Sequence, residues 1–287
     1  MLKKMRAQIT LTVNESKRII AKGIAELPFV QTALKSGRIF LKGGTTVSAV
    51  CEELAGRPLH ISGRIVPSGT KTAQEGYSQN LHCALIDRGE FLDIDEVIEE
   101  VVEKLESEDV AIIGANMIDI YGNSALMYGR ALGGKPGRII SGLIAEIKNI
   151  IIAAGLEKLV PGSISEAILK TGRKNVDLSF GMAVGLTPIV GRIVTEKDAI
   201  TLLGDVECIV IGRGGILGAE GATTMLIEGE KEEVEKVFQI VTSIKGENVS
   251  GIRESLLECA VPHEKCKLHR ACIYKKQPHK ISVSAKG

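Results

Sequence analysis

Four groups of residues in this 287-residue chain have the types and spacing to do chemistry. The first is Lys42-Gly43-Gly44-Thr45-Thr46. Two glycines let backbone N–H groups approach a ligand closely, because no Cβ intervenes. Thr45 or Thr46 would cap a following helix, and a helix N-terminus attracts a phosphate or carboxylate. The same residues would equally make an ordinary strand-to-helix turn with no ligand. The second group is carboxylates. Asp87 ends Ala84-Leu85-Ile86, Asp119 closes Gly114-Ala115-Asn116-Met117-Ile118-Asp119, and Glu220 is the lone acid of the glycine-rich stretch 212–221. The third is the loop around Gly133, Gly134 and Lys135, where four glycines and three cations fall within residues 129–138 and suit an anion. The fourth is the tail, with Cys259, His263, Cys266, His269 and Cys272. Three Cys with one His form a zinc set, and three Cys could hold an iron–sulfur cluster. The C-x2-C pair of the commoner metal sites is missing, so a lysine-rich surface tail with scattered thiols is the competing reading.

These groups need elements to hold them. Arg38–Leu41 reads as a buried strand, and Val47, Val50, Cys51 and Leu54 then fall on one face of a helix that Gly56 closes. Before it, residues 14–36 read as helix, restarted at Pro28. Leu81–Ile86, Val110–Ile113 and Asn149–Ala153 read as further strands, and Asp95 would cap a helix running through Leu105. The stretch 67–80 reads as an exposed loop, of a length that is often functional. Alternating strands and helices argue for a Rossmann-like, doubly wound parallel sheet over residues 1–160. In such sheets ligands bind at the carboxyl ends of the strands. The anchor turn, Asp87 and the turn 114–119 would all lie there.

Residues 161–250 change style. Their order, strand 188–195, helix 196–203, strand 206–211, strand 224–227 and helix 231–244, is most of a ferredoxin-like split unit, hence a second, smaller α+β domain. Residues 251–287 form the Cys/His tail.

Composition narrows the classes. Charge is nearly balanced at +1, aromatics are 3% and Trp is absent, which argues against a nucleic-acid binder. The basic N-terminus is not followed by an apolar run, and no apolar stretch is long enough to span a bilayer. A cytoplasmic protein with no membrane contact is expected. Cys51, Cys83 and Cys208 sit in apolar runs and read as core residues of a reducing compartment.

Taken together, Leu41–Thr46 and, about 70 residues on, Gly114–Asp119 resemble the superfamily of ribose-5-phosphate isomerase, glucosamine-6-phosphate deaminase and the CoA transferases. The resemblance covers roughly residues 15–155. It implies a phosphate on Gly43–Thr46, a carboxylate base at Asp119, and an electrophile at Lys135 or Asn116. It also implies a homo-oligomer. Asp87 could stand where the deaminase has its strand-end base. Asn116 and Met117 depart from the isomerase pattern, which has Asp and Glu there, and Ile120-Tyr121 replace the Gly-His pair of the deaminase. No counterpart of the CoA-transferase glutamate motif is present.

The expectation is an enzyme or enzyme-like protein binding a small phosphorylated or CoA-linked metabolite, with sugar-phosphate isomerisation by carboxylate proton transfer as the reaction. A non-catalytic metabolite sensor or assembly protein on the same scaffold is the alternative.

Overall fold

A computed structural model describes residues 4–72, 81–259 and 264–275. The chain opens with strand β1 (Met5–Leu11) and helices α1 (Val13–Ala25) and α2 (Pro28–Ser36). Then come β2 (Arg38–Lys42), α3 (Thr45–Ala55), the hairpin β3 (Gly63–Val66) and β4 (Gly69–Thr72), and the hairpin β5 (Cys83–Asp87) and β6 (Glu90–Asp93). Helix α4 (Ile98–Glu103), β7 (Val110–Gly114), β8 (Met117–Ile118) and β9 (Ser124–Tyr128) follow, then α5 (Gly134–Arg138), α6 (Ile140–Glu146) and β10 (Asn149–Ala153). The last third holds α7 (Ile164–Lys170), β11 (Gly185–Ile189), β12 (Arg192–Val194), α8 (Glu196–Leu203), β13 (Val206–Gly214), β14 (Ala222–Gly229) and α9 (Lys231–Ser243).

The centre is a six-stranded mixed sheet in the order β12-β10-β7-β2-β5-β6. Its first four strands are parallel, β5 runs antiparallel to them, and β6, antiparallel to β5, runs in their direction again. β7 and β10 are near-continuous Ile, Val and Ala runs because helices cover both their faces. On one face Ile39, Leu41, Ile112 and Ile151 pack with Ile20, Ile24 and Val50 of the α1 and α3 layer. On the other, Phe40, Ala111, Ile113 and Ile152 pack with Ile98, Val102, Ile140 and Leu143 of the α4 and α6 layer. The expected α/β class is present, with a mixed rather than wholly parallel sheet.

A second sheet, β1-β14-β13, is antiparallel. Its inner residues Ile9, Leu11, Met225 and Ile227 pack against α1, α8 and α9 through Ile19, Ile200, Val234 and Val237. The expected division at residue 160 is crossed in three of the sheets, one of them where β11 pairs with β9. β1, from the N-terminus, pairs with β14, and β12 joins the central sheet instead of opening a split unit. Among the described residues, no helix is long and apolar enough to cross a membrane.

Candidate functional site

The central sheet has a topological switch point between the carboxyl ends of β2 and β7, where a crevice is expected. From β2 the chain turns onto one face as α3, whose Val47 and Val50 join the first core layer. From β7 it passes by way of β8 and β9 to α6 on the opposite face. Neighbouring parallel strands whose connections leave to opposite faces open a cleft at that point.

Gly43 and Gly44 sit there. Gly43 donates its N–H to the His82 carbonyl at 2.7 Å, and a Cβ on it would lie 2.1 Å from that oxygen. Gly44 is the N-cap of α3, and nothing stands within 4 Å of where its Cβ would be. The capping expected of Thr45 or Thr46 does not occur. Both are helical residues, α3 has no side-chain cap, and the buried Thr46 hydroxyl has no hydrogen-bond partner. The start of α3 therefore keeps N–H groups that no side chain satisfies, beside open space. Lys42 lies on the sheet face of Phe40 and Cys83, and burial holds its ammonium below the usual lysine range. The same burial pushes the Cys83 thiol up to about 12.

The residue that completes this corner was not singled out in the sequence. His82 immediately precedes Cys83, the register partner of Lys42, so it stands at the carboxyl end of β2. Its Nδ1 lies 3.0 Å from Asp95 Oδ2. Asp95 also accepts the backbone N–H groups of His82 (2.9 Å) and Cys83 (2.8 Å). Burial alone would raise the Asp95 pKa, but the His82 ring and these N–H groups bring it below its ordinary value. Asp95 is thus not the helix cap it resembles. Helix α4 starts later, at Ile98, and Asp95 serves His82 instead. A ring that donates Nδ1–H to a carboxylate keeps Nε2 as an acceptor, the arrangement of a proton-transfer histidine. Leu81, just before it, holds a left-handed φ of 61°, a strained conformation for a branched side chain. The His60 ring is tilted against that of His82 with centroids 5.7 Å apart.

The neighbouring turn after β7 is built differently from the expectation. Gly114 lies beside Val47 of α3 and the Ala153 carbonyl of β10. Asn116 accepts from Met127 N–H at 2.9 Å and serves as a brace. Asp119 is 5% exposed and its carboxylate is fully engaged. Oδ1 accepts from Tyr121 N–H (3.0 Å) and Asn123 N–H (2.9 Å), Oδ2 from Ile164 N–H (3.1 Å), and the Asn123 amide reaches both. Against the effect of burial, these bonds hold its carboxyl below the ordinary range, which makes it a poor base.

The other expected residues are dispersed. Asp87 pairs in register with Arg38, at the start of β2, so it lies at the opposite end of the sheet from Gly43. Because β5 is antiparallel, its carboxyl end faces away from the crevice. Arg38 Nε donates to Asp87 Oδ2 at 3.3 Å. Glu220 is exposed between β13 and β14 and accepts from Gly218 N–H at 2.9 Å. Gly133 and Gly134 take left-handed φ values of 73° and 70°, Gly133 beside Tyr128, and Lys135 pairs with Glu96 at 2.8 Å on the surface.

In the tail, Cys259 N–H bonds the Thr72 carbonyl, and the backbone around Cys272 pairs with Ser179. Burial raises the Cys259 thiol, with Cys266 and Cys272 close enough to add to the effect. His269 is buried, and His263 lies outside the described residues. Among the described residues, no three His, Cys, Asp or Glu side chains are placed to hold a metal ion.

A second group of charges gathers past the ends of β10 and β12. Lys17 of α1 is 8% exposed and forms no ion pair among the described residues, and burial lowers its pKa to about 8. Facing it, both carboxylate oxygens of Glu157 are buried without a hydrogen-bond partner. Glu196 is 1% exposed, accepts from Thr223 Oγ1 (2.8 Å) and Leu156 N–H (2.8 Å), and burial raises its pKa. Lys158 links the two groups, since its Nζ donates to the Ala115 carbonyl at 2.6 Å.

No protein-family model, no curated protein and no solved structure matches the chain.

Proposed function

We propose that the protein is an enzyme that binds a small phosphorylated or CoA-linked metabolite in the crevice between β2 and β7, on a Rossmann-like scaffold. The anionic group lies against the start of α3 at Gly44, and His82, aligned by Asp95, moves a proton on the bound molecule. The observation that carries this reading is the His82–Asp95 pair beside an uncapped helix start that opens onto free space.

The reaction that suits these groups is proton transfer next to a carbonyl, as in the interconversion of an aldose and a ketose phosphate. His82 Nε2 takes the proton from the carbon next to the carbonyl and returns it to the former carbonyl carbon, while the proton of the adjacent hydroxyl passes to the carbonyl oxygen through the enediolate. The desolvated Lys42 ammonium adds positive potential where negative charge develops on oxygen. Asp119 has no part in this chemistry, since its oxygens are spent on the turn.

Solvent deuterium tests the proposal. Ribose 5-phosphate incubated with the protein in D2O should gain deuterium at the carbon next to the carbonyl, followed by proton NMR. His82→Asn should abolish exchange and still bind the phosphate, while Gly44→Val should lose binding. Binding without exchange by the unaltered protein would instead favour a metabolite sensor. No binding by any sugar phosphate, CoA ester or inorganic phosphate would remove the proposal.

A further inference from the structure

Away from the crevice, and sharing none of its residues, lies an open groove of about 650 Å3 between β9, α6 and β11. That volume falls within the range of small-molecule sites, ~300–1,000 Å3. Its walls are mostly aliphatic. Ile140 and Ile144 come from α6, and Leu186 and Pro188 from β11. Ile144 is 39% exposed, so this wall is open to whatever enters the groove. Tyr128 of β9 contributes a hydroxyl that is buried and has no partner.

The charged part of the lining is of one sign. Arg130, Arg173 and Lys174 all line the groove, and no Asp or Glu does. Arg173 is fixed by two neutral acceptors, the Gly129 carbonyl at 3.0 Å and the Leu268 carbonyl at 3.1 Å, which leave its charge uncompensated. None of the three cations forms an ion pair among the described residues. Cations on a surface are ordinarily dispersed among acids. Three with no acidic partner among the described residues, around an aliphatic trough, give both the sign of the ligand's charge and the nature of its body. The walls offer little aromatic surface for stacking a base. The ring of Tyr128 is already packed by Gly133 and Gly137.

We propose that this groove is a binding site for an amphipathic anion, an unbranched aliphatic chain ending in a carboxylate. The chain lies along Ile140, Ile144, Leu186 and Pro188, and the carboxylate meets Arg130, Arg173 and Lys174. The Tyr128 hydroxyl donates to the ligand's oxygen or to a water that the ligand holds.

The test uses the full-length protein and saturated fatty acids below their micelle concentration, followed by isothermal titration calorimetry. Decanoate should bind, and octanoate should bind more weakly by about fourfold per methylene removed, the factor expected for burying each CH2. Decanol, with the same chain and no charge, should bind at least tenfold more weakly than decanoate. Ile144→Glu places a carboxylate on an exposed wall position and should weaken decanoate at least tenfold, with circular dichroism confirming the fold. Arg130→Ala with Lys174→Ala should weaken decanoate and leave decanol unchanged. The proposal is overturned if decanoate gives no heat at 1 mM, if its affinity does not depend on chain length, or if Ile144→Glu binds it as well as the parent. It is equally overturned if the parent self-associates, Ile144→Glu is monomeric and neither binds decanoate, because the groove is then a contact between two copies.

Discussion

Replacing Asp119 by Ala should destabilise the protein by about 3–5 kcal/mol, although the residue resembles a catalytic base. Its carboxylate is the shared acceptor of three backbone N–H groups, those of Tyr121, Asn123 and Ile164, at 2.9–3.1 Å. The side chain is 5% exposed, its bond to Ile164 N–H is buried and those to Tyr121 and Asn123 N–H are part-buried. Each buried donor left without an acceptor costs ~1–3 kcal/mol. Water entering the space vacated by the side chain restores part of that, which sets the estimate in the lower part of the summed range of ~3–9 kcal/mol. Equilibrium urea unfolding followed by circular dichroism measures it. With a slope of ~3 kcal/mol/M, the midpoint should fall by about 1–1.7 M. Asp119→Asn keeps one acceptor oxygen but turns an amide against donors, and should lose about half as much. The pH dependence has a definite sign. The folded-state pKa of Asp119 is lowered, so its contribution is complete above the unfolded value of ~3.9 and is lost as pH falls below that, through the folded value. The Asp119→Ala protein should therefore lack part of the acid sensitivity of the parent. An Ala variant within 1 kcal/mol of the parent, but unable to exchange substrate protons, would refute this reasoning and return Asp119 to catalysis.

Gly43→Ala should cost about 2–4 kcal/mol and reduce proton exchange, because its Cβ would sit 2.1 Å from the His82 carbonyl and push β2 from β5; urea unfolding and the deuterium assay read the two effects. Lys17 has its pKa lowered to about 8 from 10.5, so the unfolded chain binds the extra proton between those values and stability rises with pH across that window. At 1.36 kcal/mol per pH unit the gain is about 3 kcal/mol, and it should appear as the difference in pH dependence between the parent and Lys17→Met. Cys51 and Cys83 are buried with thiols pushed up to about 12, so iodoacetamide at pH 8 should leave both unmodified in the native protein and label both in urea, as read by mass spectrometry.

The buried parallel strands were legible because their whole surface is covered. Asn149–Ala153 and Val110–Gly114 are runs of Ile, Val and Ala that any partner arrangement would bury. Strand direction was not legible. Cys83–Asp87 reads as a strand equally well either way, and only its antiparallel pairing with β2 carries Asp87 to the wrong end and His82 to the right one. The His82–Asp95 contact was hidden for a related reason, since the β5–β6 hairpin is what folds residue 95 back onto residue 82. Gly43 and Gly44 were correctly placed at a turn into a helix, but the neighbouring threonines point to a cap that does not form. The alternation in Met5–Leu11 is that of a half-buried strand, yet its partner lies near the far end of the chain and nothing local signals it.

That last pairing has a consequence for how the chain is made. Met5 is matched to Gly229, with β14 running between β1 and β13. On a ribosome adding ~5–20 residues per second, β1 must wait roughly 10–40 s before β14, its sheet partner among the described residues, exists. Throughout that interval Ile9 and Leu11, which end fully covered, have no sheet to join. The central strands face no such delay, because β2, β7, β10 and β12 take neighbouring places in the order in which they emerge. Synthesis therefore favours a central layer assembled first, with the N-terminal strand held in reserve as the last piece to dock. A nascent chain halted before residue 222 would carry that strand unpaired, open to chaperones and to strands of other chains.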